Sequence, residues 1–168
     1  MSDEPVHDDG THHLIASRGE YHEALRDAFE RAAREGCREL FISDTDFSDW
    51  PLGEIAVVDS LSRWALPHRR LTVLAQHYDE VTRRHPRWVA WRRQWAHVVT
   101  CRALEAAEPG QVPGLLLAPG LVTVRLLDPA HHRASVSTRR DDALRAGEHL
   151  DALLQQSSEA FPASVLGL

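Results

Sequence analysis

Four residues carry the most chemical interest: Asp44 and Asp46, which close the apolar run FISDTDF (41–47), and His85 and Arg87, which flank Pro86. An apolar strand ending in Asp-x-Asp sets two carboxylates beyond the carboxyl edge of a sheet, where open α/β sheets bind ligands. Such a pair reads three ways. It can take part in a metal or anion site. It can run phosphoryl transfer, with the first carboxylate attacking phosphorus and the second handling the proton. Or it can be structural, because a strand-terminal aspartate accepts hydrogen bonds from the backbone that follows and so caps a helix or closes a turn. The structural reading leads. Behind it stands a ligand-binding reading for Asp44, Asp46, His85 and Arg87, in which the imidazole titrates near neutral pH and the guanidinium clamps an anion.

FISDTDF also resembles the opening motif of the haloacid-dehalogenase phosphatases, and that resemblance implies a hydroxyl at the end of the next strand and a downstream lysine. The next strand ends Ala75-Gln76-His77, and all nineteen basic residues are arginine. The absence of lysine also excludes Schiff-base chemistry and a phosphate-binding loop built on lysine. Asp128, His131 and His132 could form part of a metal site, but their position after a strand reads better as an exposed turn. His85 and His97 have no partnered serine or cysteine in the sequence, so no triad is assigned. Cys37 and Cys101 match no zinc spacing and read as reduced, buried thiols. No catalytic residue, metal ligand or cofactor is assigned.

The segment HPRWVAWRRQWAH (85–97) interleaves aromatics with arginines, which suggests bases stacking on rings and phosphates on guanidinium groups. Trp88, Trp91 and Trp95 nevertheless share one helical face, so packing on a sheet or at an interface is the better reading, with the arginines as solvated flanks. A net charge of −6 also opposes general nucleic-acid binding.

The elements that must position these residues follow from periodicity. Residues 1–11 read as a disordered lead, and residues 12–168 as a single α/β domain. His12–Ala16 is a short edge strand. Ser17 begins a capping box for a helix with apolar positions Leu25, Ala28, Phe29, Ala32 and Ala33, and Gly36 ends it. Arg38–Ser43 is a strand. A second helix shows Ile55, Val58, Leu61 and Ala65 on one face, with Trp64 beside it, and stops at Pro67. Leu71–Gln76 is a strand, Tyr78–Arg84 a helix, and Pro86 restarts that helix at a first-turn position. Val98–Leu104 is a further strand. Leu115–Leu117 and Leu121–Leu127 form a hairpin about Pro119-Gly120. Arg133–Ser137 adds a strand, and Thr138 caps a last helix bearing Leu144, Gly147, Leu150, Leu153 and Leu154. The tail FPASVLGL is apolar enough to dock on the body. Early alternation of strand and helix favours parallel pairing and the later hairpin antiparallel pairing, so the expected fold is α/β with a mixed β-sheet flanked by helices.

At 168 residues and 43% hydrophobic, the chain fits one domain with a sizeable core. The acidic, polar start MSDEPVHDDGTHH is unlike a secretory signal, and no apolar run reaches the length of a membrane span, so a cytoplasmic location is expected.

Several stretches resemble a known family: ASRGEYHEAL, GCRELFISDTDFSDWPL, HPRWVAWRRQWAHVV and the LGL end. The family comprises bacterial domains of unknown function often found C-terminal to GNAT-type acetyltransferases and related in fold to half of a phospholipase D. The likeness spans about nine tenths of the chain. It implies a phospholipase-D-like fold, a homodimer, and an acetyltransferase partner by association. The Asp-based reading of FISDTDF matches instead the haloacid-dehalogenase phosphatases, whose remaining requirements this chain lacks. True phospholipase D enzymes carry a His-x-Lys-x4-Asp signature, and the resemblance places its histidine, lysine and aspartate on Val112, Gly114 and Pro119. None of these can attack or hold a phosphate. The expectation is a non-catalytic domain acting by protein binding or regulation, with a binder of an anion, nucleotide or nucleic acid as the alternative.

Overall fold

The structure is a computed structural model and describes residues 10–162. In chain order the elements are β1 (His12–Ile15), α1 (Arg18–Glu35), β2 (Glu39–Asp44), α2 (Ile55–Trp64), β3 (Arg70–Ala75), α3 (Asp79–Arg84), α4 (Pro86–Gln94), β4 (Val99–Ala103), β5 (Leu115–Ala118), β6 (Val122–Asp128), β7 (Arg133–Ser137), α5 (Arg140–Gln156) and β8 (Ser158–Glu159). The strands form one mixed sheet in the order β1-β7-β6-β5-β2-β3-β4-β8. β2, β3 and β4 are parallel, joined by helical crossovers, and the remaining neighbours are antiparallel. The expected fold class is the observed one.

Alternation along the strands gives the sheet two apolar faces, each with its own cover. Leu40, Ile42, Leu71, Val73 and Leu116 face α1, α2 and α4 in the main core; Leu74, Leu115 and Leu117 face α5 in a second cluster. α1 starts as its capping spacing predicts, with the Ser17 hydroxyl accepting the Glu20 N–H at 3.2 Å. It ends at Gly36, whose φ of 78° suits glycine. The hairpin between β5 and β6 turns through Gly120 at φ 81°.

Three details depart from the sequence reading. On α2 the buried face is Val57, Leu61 and Trp64, while Ile55 at the first helical position is 70% exposed. Thr138 does not cap α5: its hydroxyl accepts the Thr11 N–H at 2.8 Å, tying the chain before β1 to the end of β7. On α5 the buried side chains are Ala146, Leu150 and Leu153, and Leu144 is exposed. Trp88 and Trp91 are buried within the main core and Trp95 is half-buried, so the tryptophan face packs inward. The tail reaches the body through Phe161, which stacks on Tyr78 at 5.1 Å; residues 163–168, and residues 1–9 of the lead, lie outside the described residues. No described helix is long and apolar enough to cross a membrane.

Candidate functional site

The strand register brings one end of the sheet together. Ser43 pairs with Leu115, and Leu115 with Arg125, so the next step along the sheet sets Asp44, Gly114 and Leu126 side by side. The Leu126 N–H donates to the Gly114 carbonyl at 2.8 Å, and the Ser43 hydroxyl donates to the Pro113 carbonyl at 2.8 Å. Above this row runs the loop of residues 45–54, and beside it the turn between β6 and β7.

Asp44 and Asp46 shape that loop. One Asp44 carboxylate oxygen accepts the Phe47 N–H at 2.9 Å and the Asp46 N–H at 3.3 Å; Asp46 accepts the Ser48 N–H at 2.9 Å. These are the Asx-type bonds that a strand-terminal aspartate makes when it closes a turn. They stabilise Phe47 in the left-handed region, φ 59°, with its ring buried edge-on against Trp50 at 4.9 Å.

His85 and Arg87 grip the same loop from α4. The Gly53 N–H donates to His85 Nδ1 at 3.1 Å, so that nitrogen is unprotonated, and Nε2–H donates to the Phe47 carbonyl at 2.8 Å. Arg87 donates to the Gly53 carbonyl at 2.6 Å. Gly53 is required by closeness, since a Cβ there would stand 2.9 Å from the His85 Cα. All four residues singled out from the sequence therefore meet on one loop, and each contributes hydrogen bonds that hold it.

The sequence did not reveal the groups that complete this end. Asp49 accepts from Arg18 at 2.6 Å and from His132 at 2.5 Å, and its carbonyl accepts from His22 at 2.6 Å. Asp128 and His131, read as a turn, are paired with each other at 2.8 Å. The Tyr21 hydroxyl and the Trp50 indole N–H are buried without a hydrogen-bond partner. Their rings meet edge-on at 6.5 Å, and Tyr21 feels the charges of Asp44 and Asp49. The crowding of aspartates in 44–49 was the available signal for Asp49, but only the β6–β7 fold-back could supply His132.

Electrostatics at this end follow burial. Burial pushes the Asp44 carboxyl up to about 6, against the pull of the Phe47 and Asp46 N–H groups. It raises the Tyr21 phenol strongly, with help from the Asp44 and Asp49 charges. Burial also lifts Asp49, but the bonds from Arg18 and His132 outweigh it and hold that carboxyl below the ordinary range. Burial lowers His85, in keeping with its neutral, doubly bonded ring.

The three positions that the resemblance places on the phospholipase D signature, Val112, Gly114 and Pro119, carry no polar side chain. Val112 is 4% exposed and packs in the second core cluster. Gly114 is tightly packed: a Cβ would stand 3.0 Å from the Leu126 Cβ and 3.1 Å from an Asp44 carboxylate oxygen, so these side chains would have to give way slightly. Pro119 lies in the β5–β6 turn, at the opposite end of β5. Among the described residues no group of three or more His, Cys, Asp or Glu could hold a metal ion. A cavity of about 610 Å³ lies elsewhere, between α5 and the sheet, walled by Leu117, Leu121, Leu144 and Leu150.

No protein-family model matches the sequence. No curated protein matches it either. Solved structures do. TrmBL2, an archaeal chromatin protein described as showing a novel mode of DNA binding, superposes with a TM-score of 0.61 at 9% identity, over 89% of this chain and 55% of its own. The present chain thus spans about half of that protein's length. NucT from Helicobacter pylori gives 0.56 at 12% identity, over 90% of this chain and 100% of its own. Nuc from Salmonella typhimurium, a phospholipase D family member, gives 0.52 at 11% identity, over 90% and 99%. The chain has a phospholipase-D-like fold.

Proposed function

We propose that this is a non-catalytic phospholipase-D-like domain that acts by binding protein, its first partner being a second copy of itself. The observation that carries the reading is the state of position 114. Where the resemblance places a phosphate-binding lysine, the chain has a glycine hemmed in by Leu126, with the Asp44 carboxylate at its side. A carboxylate repels a phosphodiester where a lysine would attract it. Asp44 is itself engaged with the Phe47 and Asp46 N–H groups, which also argues against a phosphatase built on it.

The binding half of the proposal rests on what this end leaves uncovered. Leu127, near the end of β6, is 55% exposed, and Ile55, at the start of α2, is 70% exposed. Leu127 lies in a strand that runs to the Asp44 end of the sheet, and Ile55 follows the loop after another, β2. Large apolar side chains left at one end of a domain mark a surface meant to be covered, and two-fold pairing is the commonest way to cover it. The Trp88–Trp91 face is not available for this, because it is already buried. DNA binding of the kind described for the archaeal chromatin protein is less well supported, since the net charge of −6 opposes it.

Light scattering tests the pairing. The expected result is a mass twice the 18.9 kDa of one chain, falling to one chain with Leu127→Glu. A wild-type monomer at micromolar concentration would reject self-pairing and leave the face for another protein. The acetyltransferase domain implied by the family resemblance would be the first to try.

A further inference from the structure

Arg92, in the last turn of α4, is the one formally charged side chain among the described residues that is buried, with 6% of its surface exposed. Its Nε and Nη1 are closed off from solvent and have no hydrogen-bond partner; Nη2 makes a long contact, 3.4 Å, to the Phe161 carbonyl, and the Cys101 thiol lies beside the guanidinium. Such a guanidinium is costly. It has lost most of its hydration, the N–H groups of Nε and Nη1 are unused, and arginine cannot relieve the cost by releasing a proton. An anion beside it would offset that cost.

Arg92 lines a cavity of about 420 Å³ at the β4 edge of the sheet. The cavity arises where β8 stops. Ser158 and Glu159 pair with Ala103 and Arg102, the Ala160 N–H donates to the Cys101 carbonyl at 3.1 Å, and the pairing goes no further. Phe161 then takes φ 45°, a left-handed conformation that a bulky side chain seldom adopts, and its ring stacks on Tyr78. That turn carries the chain away from β4 and leaves Val99, Thr100 and Cys101 along the cavity wall.

We propose that this edge cavity binds a small monocarboxylate with a short apolar body, its carboxylate beside the Arg92 guanidinium. Val99, Ala160 and Pro162 supply the apolar wall and Thr100 a hydroxyl. A single negative charge fits better than two, because Glu159 also lines the cavity and a dianion would face one cation and one carboxylate together. The Cys101 thiol does not serve as the counter-ion: burial pushes it up to about 11, so it is neutral at pH 7. The site is independent of the pairing proposed above, which uses the Asp44 end of the sheet and not the β4 edge.

The test is titration calorimetry of the full chain with sodium butyrate, with sodium phosphate at matched ionic strength as the comparison, for wild type and Arg92→Met. Wild type is expected to bind butyrate saturably, to gain thermal stability from it, and to give no saturable heat with phosphate. Arg92→Met is expected to lose the butyrate response while melting no lower than wild type without ligand, because the variant no longer buries an unpaired charge. The proposal is overturned by any of four results: no saturable butyrate binding to wild type, a butyrate response kept in Arg92→Met, phosphate bound as tightly as butyrate, or an unliganded Arg92→Met that is clearly less stable than wild type. The last would mean that the chain itself already satisfies the guanidinium.

Discussion

Asp44 has two opposed roles at residue scale, and pH separates them. Its carboxylate accepts two backbone N–H groups, yet burial holds its folded value at about 6, above the ~3.9 of an unfolded aspartate. The folded state therefore binds more protons than the unfolded state between about pH 4 and 6, and stability falls as pH rises through that window, by about 3 kcal/mol. Asp44→Asn keeps an acceptor for the Phe47 N–H and removes the titration. Thermal melts should show wild type losing ground to Asp44→Asn from pH 4 to 6; parallel curves would contradict the assignment. His85 works in the other direction. Its folded value is depressed, so its contribution is present above the ordinary histidine value of ~6.5 and is lost as pH falls below it, when protonated Nδ1 no longer accepts from Gly53. His85→Ala leaves the Phe47 carbonyl and the Gly53 N–H without partners and should cost about 2 kcal/mol or more, read from denaturant midpoints.

Among elements, the loop of residues 45–54 decides how the candidate site is read. Its aspartates were recognisable as turn-closers because Asp-x-Asp after an apolar strand is local chemistry, and the bonds from Asp44 and Asp46 stay within three residues. The grip of His85 on Phe47 and Gly53 spans more than thirty residues, and no periodicity could show it. The same divide runs through the fold. Most helices and strands could be read from periodicity, caps and the Pro119-Gly120 turn. The start of α2 was misread because Ile55 fits the apolar spacing while lying at a helix end that only the sheet's packing could expose. β8 was missed because a two-residue strand exists only by pairing with β4. Thr138 had the right type for a cap and found a better-placed donor in Thr11. Packing around β5 makes a further prediction. Gly114→Ala pushes a methyl group against Leu126 and Asp44 and should destabilise by about 1–3 kcal/mol; a neutral change would show that position 114 has room and weaken the case against a lysine there.

For the whole molecule, the fold is phospholipase-D-like, and the three positions on which the resemblance places the signature are a core valine, a closely packed glycine and a turn proline, Val112, Gly114 and Pro119 respectively. A fold can keep its architecture and change its task, because architecture comes from the sheet and its covering helices and activity from a few side chains at one end. That end carries a braced loop, a hydrogen-bonded turn and the exposed Leu127 and Ile55, and contact with another protein is the proposed reading of it. The most direct test of this account is hydrolysis of an activated phosphodiester and an activated phosphomonoester by the purified chain and by Asp44→Asn. The account predicts that both proteins stay at the rate of the uncatalysed reaction. Turnover by wild type above that rate, lost in Asp44→Asn, would contradict it.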